Sequence, residues 1–165
     1  MVAAAISFDQ SRAYRAAAAV PDPEIPAVTV ADLGILRSVT VTGRVATAEV
    51  TPTYSGCPAV LAIELAIEAA LLDAGFEPQI KRVLSPAWTT DWITDEGRKK
   101  LRASGIAPPA QASNSIRTLF GDVAVACPKC GAEDTEKLSE FGSTACKALY
   151  RCCVCAEPFD YFKCI

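Results

Sequence analysis

The chain has 165 residues, 51% of them apolar, which is room for one ordinary domain and a small appendage. A net charge of −3 leaves no basic stripe for a nucleic acid to follow, and the lack of any histidine excludes Ser-His and Cys-His catalysis and every Cys/His zinc site. No run reaches the ~18 apolar residues that span a bilayer, so a membrane partner is not expected.

At the start, Met1 to Ile6 lacks a basic n-region, and Asp9, Arg12 and Arg15 interrupt any apolar h-region. Without a secretory signal the expected location is the cytoplasm. In that reducing compartment eight cysteines read as metal ligands or reactive thiols, not as disulfides. Ser7-Phe8-Asp9-Gln10 has the form of a capping box, and the Ala-rich run Ser11 to Val20 predicts a helix of about three turns. It should end at Val20, because a residue before proline avoids the α region. Pro21-Asp22-Pro23-Glu24-Ile25-Pro26 then predicts a stiff, extended loop. Its carboxylates, Asp22 and Glu24, are the residue types of acid–base chemistry, but an Asp before a turn ordinarily binds local backbone N–H groups.

Thr29 is placed to cap a single helical turn closed by Gly34. Ile35, Arg37, Val39 and Val41 alternate with Leu36, Ser38, Thr40 and Thr42, and Val45 to Thr51 returns with Ala46, Ala48 and Val50 on one face. That is a β-hairpin turning at Gly43. Beyond it, Pro58 suits the first position of a strongly apolar helix. Val60, Leu61, Ile63, Leu65, Ile67, Leu71 and Leu72 are expected to cover a broad core face, with Glu64 and Glu68 in solvent. Gly75 should cap the helix in the left-handed conformation, with Phe76 folding back.

Cys57 therefore lies at a helix N-terminus, where unsatisfied N–H groups and the helix dipole favour a thiolate. The competing reading is a small buried residue at a tight junction. Exposure decides between the two. Pro78 to Leu84 predicts a third strand. Pro86 to Trp92 is a loop carrying both tryptophans, either a docking surface or core residues. Thr94 opens a helix ending at Gly105, acidic in its first turn and basic towards its end. Ile106 to Phe120, with Pro108-Pro109, reads as a linker.

The tail carries the strongest chemical signal. Cys127-Pro128-Lys129-Cys130-Gly131 and Cys152-Cys153-Val154-Cys155 are two C-x-x-C pairs, the spacing of a tetrahedral four-thiolate metal site. A segment this short sits near the limit of roughly 40 residues at which a core alone holds a domain, so metal binding would be its folding free energy. Cys153 is a bystander, since pairing it with Cys155 leaves no knuckle turn. Tetrahedral S₄ sites accept Zn²⁺ and iron alike, so spacing does not choose between them. Thr135 to Phe141, Ala145 to Arg151 and Glu157 to Lys163 predict three short strands. Cys146 and Cys164 should lie at the hairpin end away from the metal, where they can pair, bind a second metal or simply be buried.

Several of these stretches together carry a resemblance. Asp22-Pro23-Glu24-Ile25-Pro26, Asp32-Leu33-Gly34-Ile35 and Thr53-Tyr54-Ser55-Gly56-Cys57-Pro58 resemble the iron–sulfur cluster assembly domain family that includes the bacterial SufT-type proteins. Pro86-Ala87-Trp88-Thr89-Thr90-Asp91-Trp92, Phe141-Gly142-Ser143-Thr144-Ala145-Cys146-Lys147 and Phe159-Asp160-Tyr161-Phe162-Lys163-Cys164 narrow this. The whole is similar to the PaaD family, also called PaaJ, of the phenylacetyl-CoA ring epoxidase system. Ala156 departs from the glycine usual after the second knuckle.

The resemblance implies an α/β fold: a small mixed-sheet sandwich of iron–sulfur-assembly type over residues 1–105, a linker over 106–122, and an all-β zinc-ribbon module over 123–165. It implies a non-catalytic role in assembling or maintaining a metal centre in a partner, with other components of the epoxidase as partners and the iron–sulfur reductase foremost. Cys57 would be a transient iron or cluster ligand, with Asp22 and the Asp32-Leu33-Gly34 turn as neighbours. Cys127, Cys130, Cys152 and Cys155 would hold structural Zn²⁺. The alternative is a rubredoxin-like redox component with iron on the same four thiolates.

Overall fold

The computed structural model describes residues 8–54, 56–109 and 125–163. Two compact units follow one another along the chain, Met1–Trp88 and Thr89–Ile165.

In the first unit, α1 (Phe8–Ala18) precedes the hairpin of β1 (Leu36–Thr42) and β2 (Val45–Val50), which α2 (Val60–Asp73) links to β3 (Glu77–Arg82). Ser7, the first residue of the expected capping box, lies outside the described residues. β1 and β2 are antiparallel, turning at Gly43 with φ +62°, while β3 runs parallel to β2, a pairing that needs the helical crossover α2 supplies. The sheet order β1-β2-β3 is therefore mixed. Strict alternation fails at the start of β1. A bulge between Leu36 and Ser38 turns both Leu36 and Val39 into the core, and the preceding Ile35 is buried as well. On β2, Ala46, Ala48 and Val50 are buried on one face as the pattern requires.

Two expectations for α2 are corrected. The helix begins at Val60, and Pro58 belongs to the turn before it, not to the first helical position. Its buried residues are Val60, Ile63, Ile67 and Leu71, a narrow stripe, whereas Leu61, Leu65 and Leu72 are exposed. A helix lying on one face of a three-stranded sheet has one side covered, and apolarity elsewhere on it does not bring in a partner. Nor is Glu64 a solvated residue. Both its carboxylate oxygens accept from the Arg82 guanidinium at 2.8 Å, tying α2 to β3. Gly75 (φ +85°) donates to Leu72 and Phe76 donates to Leu71, the paired bonds of a Schellman cap, with Phe76 buried.

The second unit holds α3 (Asp95–Ala103) and strands β4 (Ile106–Ala107), β5 (Thr135–Ser139), β6 (Lys147–Cys152) and β7 (Pro158–Phe162). Thr94 caps α3 by accepting from Gly97 N–H at 2.9 Å. The sheet order is β4-β7-β6-β5, antiparallel except where β4 runs parallel to β7. This moves the expected boundary. α3 passes through Gly105 straight into β4, and β4 pairs with the ribbon, so the break falls after Trp88 and not after residue 105. The start of the expected linker is thus a strand; residues 110–124, with Val123, lie outside the described residues. Among the described residues, one buried cluster of the ribbon joins Ala107, Val125, Cys127, Cys152 and Phe159, with Ala132, Tyr150 and Tyr161 partly buried against it. Among the described residues no helix is long and apolar enough to cross a membrane.

Candidate metal centre and the Cys57 turn

The structure brings together Cys127, Cys130, Cys152 and Cys155, whose sulfurs all lie within 4.8 Å of one another. The two knuckles are built alike. Cys127 N–H donates to Ala132 O at 2.9 Å, and Cys152 N–H donates to Glu157 O at 3.0 Å, each closing a loop over its C-x-x-C turn. Gly131 (φ +77°) and Ala156 (φ +59°) occupy equivalent places, and both need the left-handed backbone. Backbone N–H groups aim at the sulfurs: Cys155 N–H donates to Cys152 Sγ at 3.4 Å, and Ala132 N–H points at Cys130 Sγ.

The separations test which ion fits. A tetrahedron with metal–sulfur bonds of about 2.3 Å has edges of about 3.8 Å. Cys127 and Cys155 sulfurs stand 3.8 Å apart, and Cys130 and Cys152 sulfurs 3.6 Å. A disulfide needs about 2.05 Å, so these are not bridges. The donor set and spacing fit one Zn²⁺ or one iron. Cys153 is exposed and is not among the four gathered sulfurs; its N–H donates to Asp134 O instead.

Crowding sets the thiols against one another. Donation from Cys155 N–H, with help from Val154 and the neighbouring sulfurs, lowers Cys152 to about 7 despite burial. At Cys130 the Ala132 N–H pulls the other way, but the hydrogen bond to Cys152, burial and the remaining sulfurs push it up to about 12. Four thiolates this close repel one another, and a bound cation removes that repulsion. Lys129 Nζ also pairs with Glu157 Oε2 at 2.8 Å, joining the two knuckles.

Ala156 yields a direct prediction. An L-residue in the left-handed region costs roughly 1–2 kcal/mol. Ala156→Gly should raise the stability of the metal-loaded ribbon by about 1 kcal/mol, and Gly131→Ala should lower it similarly. Thermal unfolding of each variant with metal content held equal checks both signs.

Cys57 is half-buried, on the turn leading into α2. Its carbonyl accepts from Val60 N–H at 3.3 Å, and the Ala59 and Val60 N–H groups point at its sulfur, as a helix N-terminus should. The net effect is nonetheless opposite to the expected one. Burial first, and then the Glu24 and Asp22 carboxylates, raise the Cys57 thiol above its ordinary value against those two donors. The acidic loop is itself held locally. Buried Asp22 accepts from Glu24 N–H at 2.9 Å and Ile25 N–H at 2.8 Å through one oxygen. Thr29 and Asp32 cap each other reciprocally, Thr29 N–H to Asp32 Oδ2 at 2.9 Å and Asp32 N–H to Thr29 Oγ1 at 3.1 Å, in the turn that Gly34 closes.

Alkylation follows the thiolate, so Cys57 should react more slowly than a free cysteine at pH 8 and accelerate only at higher pH. Glu24→Gln removes one opposing charge and should speed the reaction severalfold at pH 8. Mass-resolved iodoacetamide labelling across pH 7–10 reads this, and an unchanged rate in the variant would remove the carboxylate from the account.

The remaining candidates separate. Trp88 is a core residue: it is buried and donates from Nε1 to Leu33 O at 2.8 Å. Trp92 lies in a short 3-10 turn. Cys146 is buried beside Thr144 Oγ1 at 3.1 Å, at the end of β6 away from Cys152. Cys164 lies outside the described residues. Sequence reasoning missed the Lys129–Glu157 link, whose signal was a charge of opposite sign in each knuckle.

Residues 11–81 match the family described as iron-sulfur cluster assembly protein, and residues 111–163 match the PaaD zinc beta ribbon domain. The D component of a "Putative 1,2-phenylacetyl-CoA epoxidase" from Escherichia coli (strain K12) is 52% identical over 147 residues, covering 88% of this chain and 87% of its own. A crystal structure of a domain of unknown function, DUF59, from Bacillus anthracis is similar with TM-score 0.52 and 25% identity, over 56% of this chain and 91% of that one. A solution structure from Mycobacterium tuberculosis, of a protein associated with Fe-S complex assembly and repair, is 35% identical with TM-score 0.35, over 58% of this chain and 82% of that one.

Proposed function

Because the chain belongs to the PaaD family of 1,2-phenylacetyl-CoA epoxidase components, we propose that it is an accessory protein of that multicomponent system. Its task is to assemble or maintain the metal centre of a partner protein, with the iron–sulfur cluster of the reductase as the recipient. The observation that carries this reading is the Cys57 turn, where two helix-terminal N–H groups point at a half-buried thiol that also lies in the field of the Glu24 and Asp22 carboxylates.

That arrangement suits a carrier. Burial and then the carboxylates keep the free thiol protonated, so no strong ligand is presented until a cation arrives. An iron ion or cluster reverses the sign of the local field. The carboxylates then attract it, the thiol loses its proton to solvent, and the Ala59 and Val60 N–H groups stabilise the sulfur's negative charge. A single cysteine on an open turn does not enclose its cargo, so release to a partner needs no unfolding.

The four ribbon cysteines would hold Zn²⁺ as a structural ion, which supplies folding free energy and no redox chemistry. Their 3.6–3.8 Å separations suit iron as well, and the second reading is a rubredoxin-like redox component. Metal analysis with a visible spectrum separates the two: a zinc protein is colourless, and iron–thiolate absorbs.

Cys57→Ser tests the carrier role. The variant should fold, keep its ribbon metal, and in cells lacking the wild-type protein leave the reductase poor in cluster and the epoxidase inactive. Full cluster content and activity with that variant would reduce Cys57 to a packing residue.

A further inference from the structure

A cleft of about 260 Å³ opens between the C-terminal turn of α3 and the two cysteine knuckles, all within the second unit. Phe159 and Cys127 are its buried lining, and Pro128 and Pro158 add apolar surface. Three charged side chains border it. Lys129 and Glu157 pair at 2.8 Å and offset each other. Arg102 is exposed, and its guanidinium makes no ion pair or hydrogen bond among the described residues.

Size and charge together select an occupant. Pockets for whole small molecules run about 300–1,000 Å³, so this one has room for one or two side chains and not for a cofactor. An aromatic ring and two prolines suit an inserted apolar side chain. One uncancelled guanidinium suits one carboxylate, taken through its planar fork. A phosphate dianion would also meet the Glu157 carboxylate, which disfavours it.

We infer that this cleft docks an extended segment of a partner protein in which one apolar side chain stands beside an Asp or Glu, and that it keeps its shape only while the four cysteines hold their metal. Pro128 and Lys129 lie between Cys127 and Cys130, so the metal fixes one wall against the other. The inference rests on the metal reading of the ribbon and not on the role of Cys57, so either can fail alone.

The test uses the full metal-loaded chain, ¹⁵N-labelled and titrated with the N-acetylated, C-amidated peptide Gly-Asp-Phe-Gly, which carries one carboxylate beside one apolar side chain. Expected are saturable amide shifts confined to 102–105, Cys127, Lys129, Glu157 and Phe159. They should be absent with the Lys-for-Asp peptide and after chelation, and unchanged in Cys57→Ser. Arg102→Gln, an exposed change that leaves metal content intact, should weaken binding roughly tenfold or more. No shifts, shifts centred elsewhere, equal binding of the lysine peptide or an unaffected Arg102→Gln would overturn the inference. Inorganic phosphate producing the same shifts at comparable affinity would overturn it too, leaving an anion site.

Discussion

Chelating the ribbon metal is expected to unfold most of the second unit while leaving the first intact. Among the described residues, Cys127 and Cys152 belong both to a buried cluster of the ribbon and to the four gathered cysteines. Structural zinc in small modules contributes about 10–16 kcal/mol at neutral pH, comparable to the whole of the about 5–15 kcal/mol that ordinarily separates a domain from its unfolded chain. Removing the metal takes away the metal–sulfur bonds that held the closed knuckles together, and the freed thiolates take up protons from solvent. Hydrogen exchange should show β5, β6 and β7 losing protection after chelation, with β1, β2 and β3 unchanged. Single changes refine the result. Cys152→Ser should act like chelation, and Cys153→Ser should keep full metal stoichiometry. The reverse pattern would mean the other cysteine of that pair is the ligand.

Trp88→Ala is expected to have the largest effect on the first unit. Its side chain is buried and fastens the segment after β3 to the Leu33 carbonyl at 2.8 Å, on the turn that Thr29 and Asp32 cap. Truncating a large buried aromatic costs about 3–5 kcal/mol through lost contact and the cavity left behind. Trp88→Phe keeps most of the ring but leaves a buried carbonyl unpaired, costing about 1–3 kcal/mol. Urea unfolding followed on the first unit should rank wild type above Phe and Phe above Ala. Equal losses for the two variants would show that the hydrogen bond, and not the packing, does the holding.

The features legible in the sequence are those whose cause lies within a few residues. The C-x-x-C spacing announced both knuckles and excluded Cys153, because a knuckle is one turn and its geometry is local. Thr94 as a cap, Gly75 with Phe76 as a helix stop, the hairpin at Gly43 and Asp22 binding its own loop follow for the same reason. The oddity of Ala156 was visible too, and its positive φ shows what the usual glycine would supply there.

What the tertiary structure alone decided involves partners far apart in the chain. α2 carries leucines on more than one side, and only the sheet beneath it determines that Ile63 and Ile67 are covered while Leu61 and Leu65 are not. β4 is two residues long and has no pattern of its own; it exists because β7 offers it an edge. Cys57 has the local setting of a stabilised thiolate, yet burial first, and then Glu24 and Asp22 from the loop after α1, reverse the outcome. Turns and caps are fixed by bonds between near neighbours, which sequence order records. Burial and electrostatic fields sum over everything the fold brings close, and that sum exists only once the chain has folded.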